Sequence, residues 1–198
     1  MSTIKPEAER RSLVRVVETR ANGDKVTVAG YAAVFGETAD IGGYFREIIA
    51  PGAFGKSLKS GDIRAYFDHD SGRVLGRSSA GTLRLSEDEK GLAVEIDLPD
   101  TSDGRDVKEL IARGDVSGMS IGFMVTKQTW DETVEPPTRT SQEVILREVS
   151  IVSEPAYEGT SIALRSLEHS RRHQNHVAAA ARVAERKAQA EQRFRSIA

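Results

Sequence analysis

The residues of this chain best suited to nucleophilic chemistry are a serine among small neighbours, one histidine between two aspartates, and an acid on a late apolar run. The serine lies in Val116-Ser117-Gly118-Met119-Ser120-Ile121-Gly122-Phe123. Strand alternation there puts Met119, Ile121 and Phe123 on one face and Ser120 and Gly122 on the other. A serine hydroxyl is a weak nucleophile until a neighbouring base takes its proton, and an imidazole suits that task. Of the four histidines, His169, His173 and His176 lie near the C-terminus, so His69 is the imidazole available to the body of the chain. Asp68 and Asp70 flank it, and their negative charge favours its protonated form. Ser117 and Ser150 are further serine candidates, and Ser150 shares a strand face with Glu148 two residues earlier. Spacing alone does not choose among the three serines.

The absence of cysteine excludes thiolate catalysis, cysteine-zinc sites and disulfides together. The spacing His169-x3-His173-x2-His176 invites a metal reading, but a polar tail lacks the packed scaffold that metal ligands require. No metal and no cofactor are expected.

Elements must hold these groups in place. Leu13 to Glu18 and Val26 to Phe35 read as two strands joined across Asn22-Gly23, the strongest short hairpin signal a sequence carries. Tyr44 to Ile49 reads as a strand, Pro51 to Leu58 as a short helix, and Ile63 to Phe67 as the strand that delivers the chain to His69. Ser71-Gly72 is expected to turn it back into strands at 74–77, 82–85 and 92–98. Thr101-Ser102-Asp103 caps a helix through Val107, Leu110 and Ile111 that stops at Gly114. Ser117 to Thr126 and Val144 to Val152 are strands, with Asp131 to Thr140 as a surface loop between them. Many short strands with two short helices predict a mainly β fold with flanking helices, a closed or nearly closed antiparallel barrel. A sandwich is the rival.

The 198 residues suit one well-buried domain with appendages. No run approaches the roughly 18 apolar residues of a membrane span, and the polar start lacks the apolar centre of a signal peptide, so a cytoplasmic protein is expected. The net charge of −2 hides an asymmetry. Arg165, Arg171, Arg172, Arg182, Arg186, Lys187, Arg193 and Arg195 outnumber the acids Glu168, Glu185 and Glu191, so an acidic body carries a basic tail. The Ala178 to Ala181 run gives that tail strong helix propensity. The expected division is a flexible segment 1–11, a β-barrel domain 12–164 and a basic helical tail 165–198.

Several ordered motifs resemble the prohead maturation proteases of tailed bacteriophages, which are similar in turn to the assemblin proteases of herpesviruses. They are Gly30-Tyr31-Ala32-Ala33-Val34-Phe35, Ile49-Ala50-Pro51-Gly52-Ala53-Phe54, Tyr66-Phe67-Asp68-His69-Asp70, Val74-Leu75-Gly76-Arg77, Ser117 to Phe123, and Arg147 to Val152 followed by Pro155-Ala156. The resemblance runs from about Leu13 to Leu164. It implies a serine endopeptidase with an assemblin-like barrel that cleaves scaffold-like and major capsid precursor proteins inside an immature shell in the host cytoplasm. The basic tail is expected to dock on a shell or scaffold surface and to be removed by self-cleavage. Residue by residue it implies His69 as general base, Ser120 as nucleophile and Glu148 as the group orienting the imidazole, with Asp68 and Asp70 as competitors for that last role. It points to Ala156 and Tyr157 for the oxyanion site, where the herpesvirus relatives carry arginines and this chain does not. A homo-oligomer is compatible with it, whereas membrane and nucleic-acid partners are not expected. The alternative is a non-catalytic barrel that binds scaffold or helps capsid assembly.

Overall fold

Alternation of apolar and polar residues dominates the body of the chain, and it produces strands. The computed structural model describes residues 8–14, 17–22, 25–154, 171–172, 180–182 and 184–185. Their order is β1 (Glu9–Val14), β2 (Glu18–Asn22), β3 (Lys25–Val34), β4 (Thr38–Ile41), β5 (Phe45–Ile49), α1 (Gly55–Ser60), β6 (Arg64–Phe67), β7 (Asp70–Arg77), β8 (Leu83–Glu87), β9 (Gly91–Asp97), α2 (Ser102–Arg113), β10 (Gly118–Asp131) and β11 (Thr138–Val152). The protein is mainly β with few helices. By contacts the chain divides into two units, Met1–Thr160 and Ser161–Ala198.

The described strands form two sheets rather than a closed barrel. The larger runs β1-β10-β11-β5-β4, with β6 also on β11 and β7 on β6, and the smaller runs β2-β3-β9-β8. Closure needs a ladder of hydrogen bonds that returns to its first strand, and no described pairing joins the two sheets. Nor is the larger sheet wholly antiparallel. β11 is 15 residues long and takes two short strands parallel to itself, β5 along Thr138 to Ser141 and β6 along Glu148 to Ile151. Alternation states which face a residue occupies and says nothing about which strand lies beside it. That is why the barrel was expected and two sheets are found.

Three local differences bear on the site. The Asn22 hairpin forms between β2 and β3, but the run before it is divided. β1 starts at Glu9, ends at Val14 and crosses to the other sheet, where it pairs antiparallel with β10. The loop expected over 131–140 is shorter, 132–137, because β10 and β11 stay paired out to Asp131 and Thr138. The chain reverses after β6 at Asp68 and His69, not at Ser71-Gly72.

Helix α2 follows its capping signals. The Thr101 hydroxyl accepts from the Gly104 amide at 3.3 Å, Asp103 stands in the first turn and Arg113 in the last, each favourable to the helix dipole. Gly114 closes the helix at φ +81°, a conformation that glycine adopts without the Cβ penalty.

One apolar core spans both sheets. Val28, Leu92, Val94 and Ile96 of the smaller sheet pack in the same cluster as Met119, Ile121, Phe123, Val149 and Ile151 of the larger. Each such side chain stabilises the fold by roughly 1.5–3 kcal/mol when fully buried. A set of buried charges fastens β1 to this sheet. Arg139 bridges Glu9 and Glu47, and Arg11 bridges the same two carboxylates. Burial alone would lower the Arg139 pKa, but the charges and hydrogen bonds of Glu47 and Glu9 raise it above the ordinary value.

In the second unit the described residues 171–172, 180–182 and 184–185 are helical and exposed. The rest of the expected helical tail, with His169, His173 and His176, lies outside the described residues. No described helix is long and apolar enough to cross a membrane.

Candidate active site

Strands β10, β11 and β6 lie side by side and bring the candidate residues to one sheet face. In the β10–β11 ladder Ser120 stands opposite Ser150, and Gly122 stands opposite Glu148. Directly opposed residues in a ladder point to the same side. Met119, Ile121 and Phe123 fill the core, so Ser120, Gly122, Glu148 and Ser150 occupy the other face. β6 runs beside β11 with Arg64 next to Glu148 and Tyr66 next to Ser150, and its end carries the turn that presents His69.

That turn has unusual backbone geometry. Asp68 and His69 have φ values of 49° and 59°, and Phe67 pairs with Asp70 across them. A two-residue hairpin with both central residues in the left-handed region matches the right-handed twist of its strands and usually carries Asn-Gly. Asp and His tolerate this region better than most residues, yet each is destabilised there by about 1–2 kcal/mol relative to ordinary backbone. Neighbouring bonds hold the turn down. The Asp68 amide donates to the Ile151 carbonyl at 2.9 Å. The Asp68 carboxylate accepts from the Ser153 amide at 2.7 Å and from the Ser153 hydroxyl at 3.0 Å. Strained backbone secured on several sides is a frequent mark of a functional turn.

His69 and Glu148 meet. His69 Nδ1 lies 2.7 Å from Glu148 Oε1, and both side chains are largely covered, at 14% and 12% exposure. The two flanking aspartates are otherwise engaged, since Asp68 holds Ser153 and Asp70 accepts from the Gly72 amide at 2.8 Å. Glu148 is therefore the carboxylate on the ring. Its other oxygen, Oε2, accepts from the Ser150 hydroxyl at 2.5 Å.

Gly122 leaves room for this arrangement. A Cβ at that position would overlap Glu148 Oε1 and come within 3.0 Å of its carboxyl carbon, so any larger residue would displace the carboxylate.

Ser120 shares the face and is fully buried, and its hydroxyl donates to the Arg11 carbonyl of β1 at 3.0 Å. Ser12 stands opposite it on β1. Beside them is a cleft of about 220 Å³ lined by Arg10, Ser12, Asp68, His69, Val152, Ser153 and Glu154. Ser117 is exposed just before β10. Ala156 and Tyr157 lie outside the described residues.

Two contributors were not assigned from the sequence. Ser150 was weighed only as a rival nucleophile, although its two-residue spacing from Glu148 was the signal for a contact between them. Gly122 carried no signal beyond its small size, because its role depends on which residue of β11 stands opposite. A largely covered histidine ring held by a carboxylate, with a serine on the same sheet face, is suited to taking a proton from a hydroxyl and returning it to a leaving group.

Comparison with known proteins identifies the family. The family described as caudovirus prohead serine protease matches residues 14–175. The chain is 35% identical over 152 residues to the prohead protease of Enterobacteria phage HK97, an alignment that covers 74% of this chain and 63% of that protein. It thus spans less than two thirds of that relative's length. The fold is similar to that of the bacteriophage T4 capsid assembly protease gp21, with a TM-score of 0.53 at 10% identity over 77% of this chain and 100% of that one. At that identity the likeness concerns the fold alone.

Proposed function

The chain belongs to the caudovirus prohead serine protease family, and from that premise we propose that it is a serine endopeptidase cleaving scaffold-like and major capsid precursor proteins as a prohead matures. The observation that carries the reading is the 2.7 Å pair of His69 and Glu148 on the sheet face that also bears Ser120. In this mechanism the Ser120 hydroxyl turns from the Arg11 carbonyl to His69 Nε2 and gives up its proton there while its oxygen attacks the substrate carbonyl carbon. Glu148 keeps the Nδ1 hydrogen in place and stabilises the imidazolium as it forms. The imidazolium then protonates the departing amine, leaving an acyl-serine, and water activated by the same ring releases the acid product. Backbone donors at Ala156 and Tyr157 are assigned to the developing oxyanion, a role worth roughly 3 kcal/mol for one such donor.

The chain acts on peptide segments inside the assembling shell. Its basic segment 165–198 is read as a docking element for shell or scaffold and as a site of self-cleavage. The cleft beside His69 supports an extended peptide as substrate, because one wall is β1, an edge strand of the larger sheet, and an edge strand can pair with another strand.

The test is coexpression of the wild-type chain, or of Ser120→Ala, with the matching scaffold and capsid precursor. Processing by the wild type alone is the expected result. Processing by both would remove Ser120 as nucleophile, and processing by neither would favour the non-catalytic assembly role.

A further inference from the structure

We propose that Ser150 is a positioning residue that sets the Glu148 carboxylate for His69, an inference that rests on the catalytic reading of His69 and Glu148 above. A carboxylate held by one contact can rotate about its last carbon–carbon bond and present either oxygen, or neither, to the ring. Here the two oxygens have different partners. Oε1 faces His69 Nδ1 at 2.7 Å, and Oε2 accepts the Ser150 hydroxyl at 2.5 Å. Ser150 is 1% exposed, so water does not compete for the carboxylate from that side. A hydrogen bond to an ionised acceptor away from water is among the stronger ones a side chain makes.

The geometry also separates Ser150 from the nucleophile's task. Its proton goes to a carboxylate rather than to an imidazole, and the carboxylate stands between it and the ring. The surrounding charges leave the hydroxyl this work to do. Arg64 stands beside Glu148 in the strand register but approaches Asp62 at 3.9 Å, while Asp68 and Asp70 are held by Ser153 and Gly72. On the far side Gly122 opens the space into which the carboxylate is set. Ser150 therefore acts through Glu148, and its contribution disappears when Glu148 is gone.

A double-mutant cycle on the full chain, read as cleavage of a capsid-precursor peptide, tests this. Ser150→Ala should lower kcat about tenfold, with KM changed by less than about twofold. The same substitution in a Glu148→Ala background should cost nothing further, since coupled residues fail to add. Ser150→Thr, which keeps the hydroxyl, should recover most of kcat. If Ser150→Ala does not fold, Ser150→Cys supplies the same cycle with a weaker donor of similar size.

An equal loss in both backgrounds, a rise in KM at constant kcat, or no loss at all would overturn the proposal. The two levels of the argument fail separately. Inactive Ser120→Ala and His69→Ala beside an unaffected Ser150→Ala would defeat only the positioning role. Activity in Ser120→Ala with none in Ser150→Ala would move the nucleophile to Ser150 and defeat both.

Discussion

The larger sheet holds carboxylates on its two sides, fully buried on one and partly covered on the other, and their partners differ. On the core side Glu9 and Glu47 face Arg11 and Arg139 in a closed set of ion pairs, with Arg139 itself fully buried. Guanidinium groups do not titrate in the working range, so this cluster can hold β1 to β5 and β11 but has no proton to exchange. On the other side Glu148 faces a histidine and a serine beside an open cleft. An imidazole can both accept and donate a proton, and this one lines the cleft. Under the proposed function, similar acids thus serve attachment in one place and proton transfer in the other, and the difference lies in what sits opposite them.

That contrast can be broken deliberately. The largest effect is expected from Glu148→Ala, which should reduce cleavage by about 10⁴-fold while the unfolding midpoint moves little. Activity within tenfold of wild type would show that the acid is no part of the chemistry. Next comes Glu47→Ala, where the pattern should invert. Arg139, which is fully buried, loses a partner, and chemical denaturation should record a loss of about 3–5 kcal/mol, with kcat per folded molecule preserved. A stability change within experimental error would show that the cluster contributes no net attachment.

The smallest effect belongs to an exposed pair that sharpens the contrast. Arg77 hydrogen-bonds Asp62 and holds its carboxyl well below the usual carboxylate range. A carboxyl whose pKa is depressed on folding stabilises the protein above its unfolded value of 3.8 and loses that contribution as pH falls toward the folded value. Asp62→Asn should therefore flatten the acid limb of a stability profile slightly below about pH 4, and solvent screening keeps the change small. A drop in stability at neutral pH as large as that of Glu47→Ala would contradict the assigned difference between exposed and buried pairs.

Much of this was legible in the sequence. Face assignments held because alternation is a local property, as in β10, where Met119, Ile121 and Phe123 enter the core and Ser120 does not. Caps were legible for the same reason in α2. Strand partners were not legible, since nothing local to β11 says that β5 and β6 will run parallel along its two halves. The turn at Asp68-His69 was misplaced because Ser71-Gly72 has the commoner turn residues. The protein instead puts its histidine in the strained position and secures it through Ser153 and Ile151. At the site, the types of His69, Glu148 and Ser120 were readable. The clearance at Gly122 and the bond from Ser150 required knowing the ladder register.

The central claim is that His69, backed by Glu148, activates Ser120. Labelling the full chain with a phosphonofluoridate that traps activated serines, followed by peptide mass analysis, measures this directly. The account predicts one adduct, on Ser120, that disappears in His69→Ala. An adduct on Ser150, or on Ser120 at an undiminished rate without His69, would contradict it.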